Sequence, residues 1–197
     1  MTSIGFLAFT LGVRCLLVWR GGQNWWPDEW RYDGSLKALL LFSEGNYLDA
    51  IDQLRLADHL LFRIVAVLPA ALQTAMNAGS MLPAMCFASL AACCIPLIGT
   101  IAMRISASRQ AAVIAQLLAV SSVCLLSYSR HLVPYDLAMF FGLCGIAAVI
   151  GDAGPRKLAI AGVFAFLCFI TYNGYWTLSA VTILMCGIRP RDGLINC

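Results

Sequence analysis

Charged residues are scarce in this chain of 197 residues. They make up 12% of it and hydrophobic residues make up 61%, whereas an average soluble domain has about 25% charged and about 45–50% apolar residues. The mean hydropathy is +0.82. This composition excludes an ordinary soluble domain and predicts an all-α protein, a polytopic transmembrane helical bundle in the cell (inner or plasma) membrane.

Sequence features that mark other classes of protein are also missing, and each absence excludes one class. The net charge of +3 is too small to indicate nucleic acid, and most basic residues lie at the ends of apolar runs, where membrane lipids are the expected partners. No basic segment or small-residue cleavage site marks a signal peptide. No repeat or soluble domain is visible, so residues 1–197 are predicted to form a single membrane domain.

Metal-binding patterns are absent as well. The chain has nine cysteines, but no Cys-x-x-Cys motif and no Cys/His spacing typical of a metal site. All except Cys197 lie within apolar runs, where we interpret them as small, soft packing residues. We therefore expect no metal and no cofactor.

Apolar runs long enough to cross a bilayer define the organisation. A span needs about 17 to 25 residues. The last run is long enough for two short spans and is interrupted at Tyr172-Asn173-Gly174, so roughly six crossings are predicted. The runs cover residues 3–19, 80–103, 111–128, 134–150 and 158–188.

The run 59–77 has two interpretations. A polar or small stripe recurs along it at steps of three and four, which favours an amphipathic helix lying in the membrane interface. The first extracytoplasmic loop then covers about 20–79. Three polar clusters share the outer side: the loop around Asp28, residues Tyr128 to Asp136, and residues Tyr172 to Trp176. If residues 59–77 crossed the membrane instead, more basic residues would lie in the cytoplasm. The positive-inside rule therefore does not decide between the two interpretations. The stripe consists of His59, Arg63, Ala66, Ala70, Gln73 and Asn77.

The loop after the first span carries the densest group of polar side chains. Charge is costly near a bilayer, so Asp28, Glu29 and Arg31 are candidates for function. Asp28 also has a structural interpretation, the N-cap of a helix that starts at residue 29. For Arg31 the alternative is interfacial anchoring.

Four motifs follow one another along the chain. They are Arg14 within the first span, Asp28-Glu29-x-Arg31-Tyr32, Glu44-Gly45-Asn46-Tyr47, and Tyr128-Ser129-Arg130 followed by Tyr135. Taken in order, they resemble the GT-C class of integral-membrane glycosyltransferases, which includes aminoarabinose transferases of lipid A and protein O-mannosyltransferases. Enzymes of that class take a sugar from a polyprenyl-phosphate carrier.

The chain departs from that class in two ways. Where the class often has Lys-Pro-Pro or His-Pro-Pro, this sequence has Asp58-His59-Leu60-Leu61, so His59 is the only residue there that can supply the cation contact. Members of the class are also usually at least twice as long. The resemblance therefore implies one of three things: the N-terminal half of a longer enzyme, a truncated gene product, or a minimal module that needs a partner such as a C-terminal half.

Sugar transfer from a lipid phosphate to a hydroxyl requires a proton acceptor and a cation for the departing phosphate. Asp28 is the predicted base, and Glu29 is expected to position the acceptor or orient Arg31. Arg31 and Arg130 are predicted to hold the phosphate. Two alternatives remain open, a transporter or flippase subunit and a non-catalytic membrane protein. Tyr32, Tyr135 and His59 complete the predicted substrate-binding and phosphate-binding set.

Overall fold

The computed structural model describes residues 3–20, 29–55, 59–122, 131–150 and 154–188. Within those ranges all regular structure is helical, and no strand occurs. The prediction of an all-α protein is therefore confirmed.

The helices follow the predicted apolar runs closely. The break predicted at Tyr172-Asn173-Gly174 is a short 3₁₀ turn, Asn173–Tyr175, between the last two helices. In chain order the helices are α1 (Ser3–Arg20), α2 (Trp30–Ser43), α3 (Tyr47–Arg55), α4 (Leu60–Ala75), α5 (Met81–Ser106), α6 (Arg109–Ser121), α7 (Tyr135–Val149), α8 (Pro155–Thr171) and α9 (Trp176–Ile188).

The start of α2 differs from the expectation for Asp28. The N-cap position belongs to Glu29, whose backbone is helical and whose side chain makes no capping hydrogen bond. Asp28 itself lies outside the described residues. The Glu29 side chain points to another partner, described below.

Helix α5 is the centre of the packing, with α1, α6 and α7 against it, and α7 also packs on α8 and α9. Two glycines allow α7 to approach its neighbours closely. A Cβ at Gly142 would lie 2.8 Å from Leu178 Cδ1, and one at Gly145 would lie 3.1 Å from Thr182 Cγ2. Small residues at contacts between apolar helices are typical of membrane bundles, where close backbone packing replaces the hydrophobic effect.

Helices α2, α3 and α4 form a second layer that joins the bundle through α4 and α5. Their shared core includes Tyr32 on α2, Phe62 on α4 and Phe87 on α5, with the two phenylalanine rings 5.2 Å apart. Leu132 and Leu137 extend the same cluster to the start of α7. The core thus ties the segment before α7 to the α2–α4 layer.

The first part of the polar and small stripe of α4 faces the protein interior. His59, Arg63 and Ala66 are at most 1% exposed, whereas Ile64 and Leu68 on the opposite face are 49% and 69% exposed. The sequence identified the stripe, but its first residues contact protein, the apolar face is the outer one, and Asn77, beyond the end of the helix, is exposed. The interfacial position of the helix stays a prediction.

One helix in the described part of the chain, Met81–Ser106, is long and apolar enough to cross a bilayer. Two shorter helices, Leu60–Ala75 and Tyr135–Val149, are also apolar.

Candidate functional site

Glu29 and His131 join the two polar loops that the sequence singled out. The Oε1 atom of Glu29 lies 3.0 Å from His131 Nδ1 and accepts a second hydrogen bond, of 3.3 Å, from the backbone N–H of Leu132. Their side chains are only 16% and 11% exposed. A contact across 102 residues of sequence thus fixes the start of α2 against the segment before α7.

The chemistry of this contact assigns the imidazole proton. An ionised carboxylate only accepts hydrogen bonds, so His131 carries its proton on Nδ1 when it donates to Glu29. A carboxylate that orients an imidazole in this way fixes its tautomer and its ring plane. Asp28 and Arg130, the chain neighbours of this pair, both lie outside the described residues, so their predicted roles stay predictions.

A group of aromatic rings connects two more of the predicted residues. The Tyr172 ring centroid lies 5.1 Å from that of His59 and 4.7 Å from that of Tyr135. Tyr175 packs edge-on against the same ring at 5.6 Å. The break between α8 and α9 therefore meets the starts of α4 and α7, and the three polar clusters are close to one another.

Arg14 and Asp136 are buried groups of opposite charge. Arg14 in α1 is 0% exposed and Asp136 in the first turn of α7 is 2% exposed, and the two interact electrostatically, although no ion pair joins these two described residues. Burying a charge with no opposite charge nearby would cost several kcal/mol, so Asp136 lowers the cost of burying Arg14.

Arg31 belongs to a cluster of cations around Trp30. Its guanidinium carbon lies 5.2 Å from the Trp30 ring centroid, and that of Arg63 lies 4.7 Å from it. Arg31 is 9% exposed, so its side chain is largely inside the protein rather than extended to a headgroup layer. Cations at this distance from an indole ring are attracted by its electron-rich face.

Tyr32 occupies a packing position between α2 and α4. Its hydroxyl donates a hydrogen bond of 2.5 Å to Gln73 Oε1, and the residue is 2% exposed. Burial, with smaller contributions from Cys86 and Asp33, raises the pKa of Tyr32 well above its ordinary value. The phenol is therefore a neutral donor that holds the two helices together, and its role toward substrate stays a prediction.

Three members of this region, His131, Arg63 and Tyr172, are not among the predicted site residues. The sequence marks Arg63 only as part of the polar stripe and Tyr172 only as part of the break in the last apolar run. The signal for His131 was its place beside Arg130 in a loop between two spans. Its partner Glu29 could not be identified from the sequence, because many other polar side chains also lie far from His131 along the chain.

No family model, curated protein or solved structure matches this chain.

Proposed function

We propose that this chain is a multi-pass membrane unit of a glycosyltransferase that moves a sugar from a polyprenyl-phosphate donor to a hydroxyl on the extracytoplasmic face. The observation that carries the proposal is the hydrogen bond between Glu29 and His131. It holds the start of α2, the helix that carries Arg31, against residues 131 and 132.

The outer surface supports the membrane setting. Large apolar side chains are exposed along several helices, among them Phe166 and Val163 on α8, Ile183 on α9 and Leu118 on α6, each at 57% or more. A soluble monomer rarely exposes extended apolar surface of this kind, whereas lipid tails solvate it. The polar groups Arg14 and Asp136 point inward, as ionisable residues do at membrane depth.

The proposed step is a displacement at the anomeric carbon of the donor. The acceptor oxygen forms the new bond to that carbon, the bond from the carbon to the phosphate oxygen breaks, and the phosphate leaves with the electron pair. The acceptor proton passes to Asp28. Arg31 and Arg130 stabilise the departing phosphate, since guanidinium groups bind it by two parallel hydrogen bonds.

Within this scheme Glu29 is a positioning residue. Its Oε1 already accepts two hydrogen bonds from residues 131 and 132, so its role is to hold the two loops in register. His59 and Tyr135, brought together on the Tyr172 ring, form the adjoining wall of the site. Tyr32 supports the site from behind through Gln73.

Transfer from a radiolabelled polyprenyl-phosphate sugar in proteoliposomes that contain the full chain tests the proposal. We expect labelled sugar to move to an added hydroxyl acceptor or to water. Arg31→Lys should lower the rate at limiting donor, because a two-pronged contact becomes a point charge. Arg55→Lys, in the same loop and paired with Asp52 on the surface, is the matched control.

Two results would overturn the proposal. In one, the wild-type protein leaves all label on the donor. In the other, the label stays on the donor while the intact donor crosses to the opposite leaflet, which would identify a flippase.

A further inference from the structure

Exposed cations gather where α5 ends and α6 begins, and where α7 ends and α8 begins. The Nη1 atom of Arg104, in the last turn of α5, donates a hydrogen bond of 2.5 Å to the backbone carbonyl of Ala147, in the last turn of α7. These helix ends therefore meet at one end of the bundle, which we call the basic end. Its cations are Arg104, Arg109, Arg156 and Lys157, and all of them are exposed.

The basic end has no acidic residue in the part of the chain that the structure describes. The described carboxylates lie within residues 29–55 or in the first turn of α7, at the opposite end of that helix from Ala147. Asp152 lies outside the described residues, and even with it the sequence of this end has more positive than negative charges. The described acidic residues are Glu29, Asp33, Glu44, Asp49, Asp52 and Asp136.

The starts of α6 and α8 add to the positive potential of the basic end. An α-helix carries a partial positive charge at its N-terminus, and an acidic side chain in the first turn offsets it. Neither α6 nor α8 has an acidic residue in its first turn, and each has a basic residue there, Arg109 in α6 and Arg156 in α8. The side chains and the helix termini therefore favour the same kind of partner, an anion.

Exposed apolar surface begins directly beside these cations. On α8, Arg156, Ile160 and Val163 are four and three residues apart, so they share one face of the helix. The two apolar residues are 40% and 57% exposed, and Ile105, next to Arg104, is 69% exposed. Basic residues at the end of an apolar helix surface lie where a membrane helix meets the lipid headgroups. The anion that fits is therefore the headgroup of a lipid.

We propose that the basic end binds anionic phospholipids of the phosphatidylglycerol type in preference to zwitterionic phospholipids. The lipid phosphates contact Arg109 and Arg156, and the acyl chains lie along the apolar surface that begins beside them. Arg104 contributes its charge while its hydrogen bond holds α5 against α7. A zwitterionic headgroup carries a cation of its own, which the basic end repels, and an anionic headgroup does not. Binding involves no chemical reaction, so it is independent of the proposed sugar transfer.

Binding of lipids to the full chain in a nonionic detergent, measured by native mass spectrometry, tests this surface. The probes are phosphatidylglycerol and phosphatidylcholine with the same acyl chains, with inorganic phosphate as a competitor. One basic residue near an anionic lipid raises the affinity about fivefold, so we expect phosphatidylglycerol to bind at least about tenfold more tightly than phosphatidylcholine. Added salt should reduce this preference, because it screens exposed charges.

Two variants remove single charges from the basic end. Arg109→Gln and Arg156→Gln should each weaken the binding of phosphatidylglycerol by about fivefold and leave that of phosphatidylcholine unchanged. Both side chains are exposed, so each variant should keep the unfolding midpoint of the wild type. Lys37→Gln removes an exposed lysine from α2, beside the described acidic residues. It is the matched control and should change the affinity for neither lipid.

Three results would overturn the proposal. Equal affinity of the wild type for phosphatidylglycerol and phosphatidylcholine would remove the preference for an anionic headgroup. Wild-type affinity for phosphatidylglycerol in both arginine variants, or an equal loss in Lys37→Gln, would place the lipid elsewhere. Displacement of phosphatidylglycerol by an equal concentration of inorganic phosphate would assign the surface to free phosphate.

Discussion

His131 Nδ1 lies 3.0 Å from Glu29 Oε1, and this contact links two segments that are 102 residues apart in the sequence. The Leu132 backbone N–H reaches the same oxygen. Because both side chains are largely buried, the contact is a constraint on the position of the loops rather than a surface ion pair of little energetic value.

A double-mutant cycle measures that constraint. Glu29→Ala and His131→Ala should each lower the free energy of unfolding in detergent, and the two effects should be coupled by about 1–2 kcal/mol, as for a partly buried hydrogen bond to a charged group. The exposed pair Asp52 and Arg55 is the reference, with an expected coupling of about 0.5 kcal/mol or less. Additive effects at Glu29 and His131 would contradict the contact.

The buried charges of Arg14 and Asp136 make a different prediction. Arg14→Leu or Asp136→Leu alone should cost about 3–5 kcal/mol, because each removes an opposite charge that acts on the buried group left behind. The double variant should recover most of that loss, since replacing both charges by apolar groups removes the penalty. Thermal unfolding in detergent measures the stability of the two single variants and of the double variant. Single variants as stable as the wild type would mean that the charges are solvated.

The orientation in the membrane is tested by labelling single cysteines in a cysteine-free background. A cysteine at Ser43, an exposed position at the end of α2, should react with a membrane-impermeant maleimide in intact cells. A cysteine at Arg109, exposed at the start of α6, should react only after permeabilisation. The reverse pattern would contradict an extracytoplasmic loop at about 20–79.

The helices could be predicted from sequence because long apolar runs carry a strong and local signal. Helix α4 shows where that reasoning stops. Its stripe was visible in the spacing of His59, Arg63 and Ala66, but a stripe of polar and small residues fits either water or the interior of a membrane protein. The structure places it inside.

The sequence indicates candidate residues for the site, but it does not indicate which of them contact one another. Glu29 and Arg31 are candidates because charged groups are costly near lipid, and Tyr135 is a candidate because of the resemblance to the GT-C class. That Glu29 contacts His131, and that Arg14 and Asp136 are buried where they interact electrostatically, depends on how the helices pack, and the local sequence does not record it. Asp28 and Arg130 lie outside the described residues, so their place in the site rests on the proposal.

The central claim is that Asp28 takes the proton in sugar transfer, and its replacement tests that claim most directly. Asn keeps the size and the capping ability of Asp but cannot accept the proton. In proteoliposomes with a radiolabelled polyprenyl-phosphate sugar, Asp28→Asn should fold normally and lose transfer by roughly a hundredfold or more. Asp52→Asn, in the same loop, should keep the wild-type rate. Undiminished transfer by Asp28→Asn would contradict the account.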